Sequence, residues 1–285
     1  MHKFFIFLLV SIMVACTTDE GTNLDECFVV EGWIEDNGYP MVKLTYSIPI
    51  KEDYQTLDSL ERYIARWERI TISDGSQTVT LTGRMNDAYF PPYVYTTTDM
   101  KGVAGRTYAL TIHASDYGKS DITAVTTIPP VAPAIDSFSV ASVSSEDKRY
   151  QLFAHTNIPA QPITYYKIFT QVGNKSQDFL SSYLGVLRSD MIPADGQIAI
   201  HQGRTNLDKE FTPYFTEGDT VSIRFARIDS ISYEYWRTYE DMLSFSRTPL
   251  FPATISMPHT ILGAYGFWQG YGSRYYSVRI TKPES

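Results

Sequence analysis

Alternation of apolar and polar residues predicts short β-strands along the first half of the chain. Residues 105–114 alternate with a period of two, which is typical of a strand with one buried face. Asp74-Gly75 lies between two β-rich runs and supplies the positive-φ positions of a tight turn, so it predicts a hairpin. With about seven such strands, residues 27–128 are predicted to form one β-sandwich of immunoglobulin-like or transthyretin-like size.

A proline-rich stretch then separates the two halves of the chain. Three of the five residues 129–133 are proline, which favours a stiff, extended linker. Residues 134–285 carry further alternating runs, of which 221–228 is the strongest. We therefore expect an all-β fold of two tandem β-sandwich domains, immunoglobulin- or transthyretin-like in the first half and fibronectin-like in the second.

Two segments of the second half depart from the strand pattern. Ile231, Tyr235 and Tyr239 recur at helical spacing and predict a single amphipathic helix over residues 232–244, inserted in the second domain. Residues 174–216 are irregular, with Gly, Pro, Ser and Asp scattered through them. A gap of this length indicates either a functional insert or elements that the pattern does not reveal.

The N-terminus begins with an apolar run at residues 4–14. This run is too short to cross a bilayer, because a spanning helix needs about 20 residues. Residues 13–16 (MVAC) resemble a bacterial lipobox. The resemblance implies that residues 1–15 are a signal peptide and that Cys16 carries a lipid anchor, with 16–26 as a polar tether. The alternative is a plain signal peptide that happens to contain a cysteine.

Two acidic residues, Asp19 and Glu20, follow the candidate lipid site closely. They resemble the surface-export signal of lipoproteins from Bacteroidota, whereas the alternative is an ordinary polar tether. The resemblance favours an outer-membrane location, with the protein attached through its N-terminal lipid and facing the cell surface.

Composition and charge narrow the classes of partner. The 285-residue chain is 43% hydrophobic and 14% aromatic, which is enough for real cores and excludes a disordered stalk. A net charge of −8 without any Lys/Arg run makes nucleic-acid binding an unfavoured function. The chain has two cysteines, so Cys27 lacks an intrachain partner if Cys16 is lipidated.

The inventory of catalytic motifs is poor. The sequence contains no HExxH, GxSxG, P-loop or CxxC pattern. The four histidines beyond the signal segment are isolated from one another, and carboxylate pairs such as Glu240-Asp241 fit the solvated face of the helix. We therefore expect no enzymatic activity, no metal site and no cofactor.

Two aromatic clusters are the only candidates for a binding surface. Exposed aromatic rings stack on sugars and anchor protein interfaces, whereas buried ones fill sandwich cores, so both interpretations stay open. The candidate residues are Tyr89, Phe90, Tyr93 and Tyr95 in the first half, and Tyr265, Phe267, Trp268 and Tyr271 in a glycine-rich stretch near the C-terminus.

The order of these features resembles a family of Bacteroidota lipoproteins defined by domain of unknown function 4249. The matching segments are residues 29–34, 70–75, 102–110, the tyrosine-rich predicted helix and residues 263–266. The family has no assigned enzymatic activity. The resemblance implies an accessory role beside TonB-dependent outer-membrane receptors.

Three functional hypotheses follow. The leading one is a non-enzymatic outer-membrane surface lipoprotein that docks on a TonB-dependent or other β-barrel outer-membrane protein. The alternative is a glycan or small-ligand binding module that uses exposed aromatic residues. The third is an enzyme whose site lies in the irregular segment 174–216.

Overall fold

A computed structural model describes residues 27–47, 61–117, 120–144, 148–173, 178–203, 211–245, 257–258 and 260–283. The predicted signal peptide, Cys16 and the tether to residue 26 lie outside the described residues.

Within these ranges the chain forms sixteen strands and one α-helix. They are β1 (Phe28–Glu35), β2 (Met41–Tyr46), β3 (Ile70–Ser73), β4 (Thr78–Met85), β5 (Tyr93–Thr96), β6 (Thr107–Ile112), β7 (Ile122–Thr127), β8 (Ser137–Ser144), β9 (Arg149–His155), β10 (Tyr165–Val172), β11 (Leu180–Arg188), β12 (Gln197–Ile200), β13 (Phe215–Thr216), β14 (Thr220–Ile228), α1 (Ser230–Phe245), β15 (Ile261–Leu262) and β16 (Tyr265–Arg279).

Most described strands belong to one large sheet. Its twelve strands run in the order β11-β10-β14-β16-β1-β2-β5-β4-β3-β6-β7-β15. A second sheet has the order β12-β9-β13, with β8 also paired to β9. The all-β class is confirmed, and the two sheets give a sandwich-like architecture.

Local patterns account for much of this structure. Along β6, Tyr108, Leu110 and Ile112 are buried while the residues between them face outward, as a period of two requires. The hairpin between β3 and β4 turns at Asp74-Gly75, where Gly75 has a φ of 85°. The Asp74 carboxylate accepts the backbone N–H groups of Ser76 and Gln77 at 2.9 Å each, which fixes the turn.

The segment 174–216 contains elements that the pattern did not reveal. Strands β11, β12 and β13 all lie within it. Of the two interpretations left open for this segment, the structure therefore supports missed strands.

The C-terminal strand is the largest departure from expectation. No strand was predicted over the glycine-rich stretch that holds the C-terminal aromatic candidates, but β16 begins there, at Tyr265, and runs for 15 residues. The glycines of β16 do not mark loops. They let other backbones pass close to the strand. A Cβ at Gly270 would lie 2.8 Å from the Thr127 carbonyl oxygen, and one at Gly272 would overlap that of Pro130.

Strand β16 connects the two halves of the molecule. Its first part pairs in parallel with β1, from Val29 opposite Tyr265 to Glu35 opposite Tyr271. Its second part pairs antiparallel with β14 over residues 272–279. One continuous strand therefore carries hydrogen bonds to both halves.

The first hydrophobic core also draws on the C-terminal region. It is built mainly from β1–β7 but includes Ile261 and Trp268. Trp268 is buried, and its indole Nε1–H donates to the Tyr108 carbonyl oxygen at 3.1 Å. A separate second core lies among β9, β10, β12 and β14. The domain boundary at residues 129–133 stays a prediction. The first core contains residues from both sides of that point in the chain, so the two cores are not separated there.

Helix α1 confirms the predicted amphipathic helix and extends it slightly at both ends. The Asp229 carboxylate caps its N-terminus by accepting the Ser232 N–H at 2.7 Å. The fully buried Lys167 of β10 reaches the Glu240 carboxylate at 2.8 Å, and Gly185 donates its N–H to the same oxygen at 3.0 Å. Burial lowers the pKa of Lys167, an effect that Glu240 opposes. This ion pair holds the helix against the large sheet.

No helix among the described residues is both long and apolar enough to span a bilayer.

Gly266→Ala tests the pairing of β1 with β16. Gly266 has a φ of 106°, and a Cβ there would overlap the Val30 carbonyl oxygen. We expect the substitution to lower the free energy of unfolding by about 2–4 kcal/mol, because left-handed strain and overpacking add. The matched control is Gly218→Ala, at a φ of 89° with no atom within 4 Å of the added Cβ. Denaturant unfolding that gave equal losses for both variants would contradict the tight β1–β16 contact.

Candidate functional site: the cavity under helix α1

The strands at the centre of the large sheet are covered on both faces. In β14, Ile223 and Phe225 point into the second core, whereas Arg224 lies on the opposite face. In β1, Val30 points into the first core, whereas Trp33 belongs to a third cluster that includes residues of helix α1. Because side chains alternate along a strand, one set of residues packs into a core and the other set faces helix α1.

A cavity of about 390 Å³ lies between this sheet face and helix α1. Its volume is at the low end of the range of roughly 300–1,000 Å³ that is usual for small-molecule sites. The residues that line this α1 cavity come from both halves of the chain: Glu31, Trp33, Lys43, Phe90, Phe169, Asp178, Phe179, Leu180, Ser181, Arg224, Tyr235, Trp236, Tyr239, Phe267 and Tyr271.

Interlocked aromatic rings form the wall of the cavity. The Trp236 ring lies edge-on to Phe169 at 5.4 Å between centroids, and 5.5 Å from Phe267. Its Nε1–H donates to Gln269 Oε1 at 2.8 Å, and the Tyr271 hydroxyl donates to the same oxygen at 2.6 Å. Hydrogen bonds and ring contacts together hold these side chains in place, so the wall is formed before any ligand arrives.

An ion pair from the first half of the chain lies on one side of the cavity. Glu31 and Lys43 are directly opposite each other on β1 and β2, and their side chains meet at 2.8 Å. The Lys43 ammonium also lies 5.9 Å from the centroid of the Trp33 ring and donates to the Phe90 carbonyl oxygen at 3.4 Å. That last contact ties the segment before β5 to the cavity.

Arg224 provides a buried positive charge among the rings. Arg224 is only 7% exposed. Its Cζ lies 3.9 Å from the ring centroid of Phe169 and 5.2 Å from that of Tyr271. Burial opposes the charge, but the Glu35 carboxylate and neighbouring tyrosines outweigh it, and the pKa of Arg224 is raised. Its Nε has no hydrogen-bond partner among the described residues. A buried charged donor with unused capacity is costly unless something else satisfies it.

Asp178 brings a second carboxyl group to the cavity. Burial raises the pKa of Asp178, and the nearby Glu31 carboxylate adds to the effect, whereas Lys43 and Arg224 oppose it. The cavity therefore presents hydrogen-bond donors and acceptors together inside an aromatic wall. This combination can hold a small molecule by stacking and hydrogen bonding.

The candidate residues named from the sequence are divided between this cavity and the cores. Phe267 and Tyr271 line the cavity, as does Phe90. Tyr89 packs beside it, with its ring centroid 6.1 Å from that of Trp33. Whether these residues bind a ligand stays a prediction.

The other four candidates lie away from the cavity: Tyr93, Tyr95, Tyr265 and Trp268. The Tyr95 side chain is buried and donates its hydroxyl to the Ala65 carbonyl oxygen at 2.7 Å. Tyr93 packs edge-on against Tyr95 and donates to the Arg66 carbonyl oxygen at 2.8 Å. Tyr265 is exposed at the start of β16. Tyr95 and Trp268 thus belong to the first core.

Most residues of the cavity, including Trp33, Arg224 and the other charged groups, are not marked by any motif in the sequence. A signal was available in the strands, because Glu31 and Trp33 share one face of β1, and Lys167 and Phe169 share one face of β10. A charged residue two positions from a large aromatic residue indicates a face that is covered rather than solvated.

Among the residues that the structure describes, no group of three or more His, Cys, Asp or Glu side chains is placed to hold a metal ion.

Asp178→Asn tests the electrostatics of the cavity through pH. The pKa of Asp178 is raised above its ordinary value of 3.8, so the folded protein binds more protons than the unfolded chain as pH rises past that value. The wild-type free energy of unfolding should therefore fall relative to that of Asp178→Asn as the pH increases through this window. Denaturant unfolding at several pH values measures the difference.

Asp99→Asn, at an exposed position outside the cavity, is the control substitution. A difference between wild type and Asp178→Asn that stayed constant with pH would contradict the burial of this carboxyl group.

Comparison with known proteins identifies the family. No curated protein matches the sequence. A family model described as a domain of unknown function, DUF4249, matches residues 17–259. Because this match covers most of the chain, the protein belongs to the DUF4249 family.

Proposed function

We propose that this protein is a non-enzymatic, lipid-anchored surface protein that binds a small ligand in the α1 cavity. The observation that carries the proposal is the cavity itself, a space of about 390 Å³ with a fixed aromatic wall. Small-molecule sites are concave and mostly apolar, with a few polar groups that orient the ligand, and the α1 cavity has this composition.

The cavity is prepared for binding before a ligand enters. Trp236 and Tyr271 are held by hydrogen bonds to Gln269, and Lys43 is held by Glu31. Side chains that are already ordered lose little conformational entropy on binding, which favours affinity. Phe90 is 49% exposed and lines the cavity, so it places an accessible ring at the edge of the site.

The lipid anchor predicted at Cys16 would place the protein at the membrane surface. Ten residues, 17–26, lie between this lipid site and Cys27. Even fully extended, they span at most about 40 Å, so the cavity would stay near the membrane. Such a protein would hold its ligand close to transport machinery in the outer membrane.

Filling the cavity tests the proposed binding site. N-phenyl-1-naphthylamine, a neutral fluorescent aromatic probe, should bind the purified protein saturably and with one-to-one stoichiometry. Ser181 lines the cavity, and Ser181→Phe would occupy its volume, so we expect this variant to lose probe binding. Ser142→Phe adds the same ring at an exposed position on β8 and should leave binding unchanged. Fluorescence titration that found equal probe binding in both variants would refute the α1 cavity as a binding site.

A second candidate function is docking on a β-barrel outer-membrane protein, and an exposed apolar patch favours it. Leu262 is 76% exposed in the edge strand β15, with Val125 and Ile231 exposed beside it around one shallow groove. An edge strand that bears exposed apolar residues is a common site of protein association. The short tether to Cys16 favours a partner embedded in the same membrane.

Charge substitution in this patch tests the docking function. The double variant Val125→Glu, Leu262→Glu should lose co-purification with a β-barrel protein from detergent-solubilised outer membranes, because carboxylates cannot be buried there without cost. Val143→Glu, at an exposed valine of β8, is the control. Wild-type protein that was recovered without any β-barrel protein, or a double variant that still retained one, would rule out docking through this patch.

A further inference from the structure

The charges around the α1 cavity restrict the ligand class, an inference that rests on the proposed function. The cavity is lined by two cationic side chains, Lys43 and Arg224. It is also lined by two side chains with carboxyl groups, Glu31 and Asp178. The formal charges of these four side chains therefore balance. A site for a strongly charged ligand usually carries an excess of the opposite charge.

Cationic ligands are disfavoured because the protein's own cations already occupy the aromatic rings. Lys43 lies over Trp33, Arg224 lies over Phe169 at 3.9 Å, and the buried Lys167 of β10 lies 5.3 Å from the Trp236 ring centroid. A ring that already attracts one cation offers little to a second, and the two cations would repel each other.

Anionic ligands are disfavoured for a related reason. The Lys43 ammonium is neutralised by Glu31 at 2.8 Å. The charge of Arg224 is stabilised by the Glu35 carboxylate, with a smaller contribution from Asp178. An anion would have to displace or oppose these carboxyl groups.

A hydroxyl group suits this site because it both donates and accepts hydrogen bonds. It can accept from the Arg224 guanidinium and donate to a carboxyl oxygen of Glu31 or Asp178, since all three side chains line the cavity. Several hydroxyls on one apolar ring would use the charged groups and the aromatic wall together. The apolar C–H face of a sugar ring packs well on an aromatic face such as that of Phe90 or Phe179.

We propose that the α1 cavity binds a neutral mono- or disaccharide, with Arg224, Glu31 and Asp178 as hydroxyl partners and Phe90 and Phe179 as stacking surfaces. The modest cavity volume of about 390 Å³ limits the bound part of the ligand to this size. A longer glycan would leave its remaining sugars in solvent.

Isothermal titration calorimetry against a defined panel tests this ligand class. The panel contains glucose, galactose, mannose, xylose and N-acetylglucosamine with their common disaccharides, and the charged analogues glucuronate and glucosamine. We expect at least one neutral sugar to bind and to displace N-phenyl-1-naphthylamine. Its charged analogue should bind about tenfold more weakly, because it adds an uncompensated charge to a balanced site.

Two variants assign the sugar to the proposed residues. Arg224→Lys keeps the charge but removes the planar guanidinium donors, and we expect about tenfold weaker sugar binding. Phe90→Ala should weaken binding roughly 2–10-fold through lost stacking. Tyr39→Ala, an exposed aromatic residue outside the cavity, should leave sugar affinity unchanged. Retained probe binding by each variant shows that the cavity is intact.

The outcomes separate this inference from the function on which it rests. Probe binding without any neutral sugar binding, or stronger binding of a charged analogue, would overturn the saccharide proposal and leave the cavity as a site for another ligand. Sugar affinity that was unchanged in Arg224→Lys and Phe90→Ala would also overturn it. If the wild-type protein shows no specific probe binding, both proposals are overturned.

Discussion

Strands β1 and β16 lie side by side in parallel over seven residue pairs, from Val29 with Tyr265 to Glu35 with Tyr271. The two strands are separated by most of the chain, and a parallel pair cannot be closed by a tight turn. Ordering so long a connection costs conformational entropy, which burial of both faces of the strands must offset. Gly266 lets the two backbones approach, and Trp268 anchors β16 in the first core. The rest of the large sheet depends on this contact, because β16 continues from it to β14.

The same contact creates the α1 cavity. It places Phe267 and Tyr271 of β16 beside Glu31 and Trp33 of β1, so the cavity wall contains residues from both ends of the chain. Neither half could form this surface alone. Helix α1 then covers the assembled face, held by the ion pair between its Glu240 and Lys167 of β10.

Two buried cations near the cavity illustrate the difference between structural and ligand-directed polar groups. Lys167 is fully buried, and its ammonium group is paired with Glu240 and donates to the Ser182 carbonyl oxygen. Arg224 is almost as buried, but its Nε lacks a partner among the described residues and the side chain lines the cavity. The first charge is used to hold helix α1 on the sheet, whereas the second is placed at the wall of the cavity, where a ligand could contact its side chain.

Sequence patterns anticipated the features that depend on local chemistry. The Asp74-Gly75 hairpin, the alternating strands and helix α1 all arise from turn residues and periodicity, and the motifs that resembled the family identified it correctly. The first ten residues of β16 were not predicted as a strand, because glycines that permit close backbone crossing are also common in turns. The cavity was not predicted for a different reason. Arg224 lies on the polar side of the alternating strand β14, and the sequence of one strand does not show whether that side is covered by another element or faces solvent.

Native-state hydrogen exchange measured by NMR tests most directly whether β16 unites the two halves. The amides of Leu110 in β6 and Ile223 in β14 report on the first and second cores. If the shared strand makes the large sheet one cooperative unit, both amides exchange through the same global unfolding and give equal free energies of opening. A β14 that opened at a much lower free energy than β6 would contradict this account, since the halves would then unfold independently across β16.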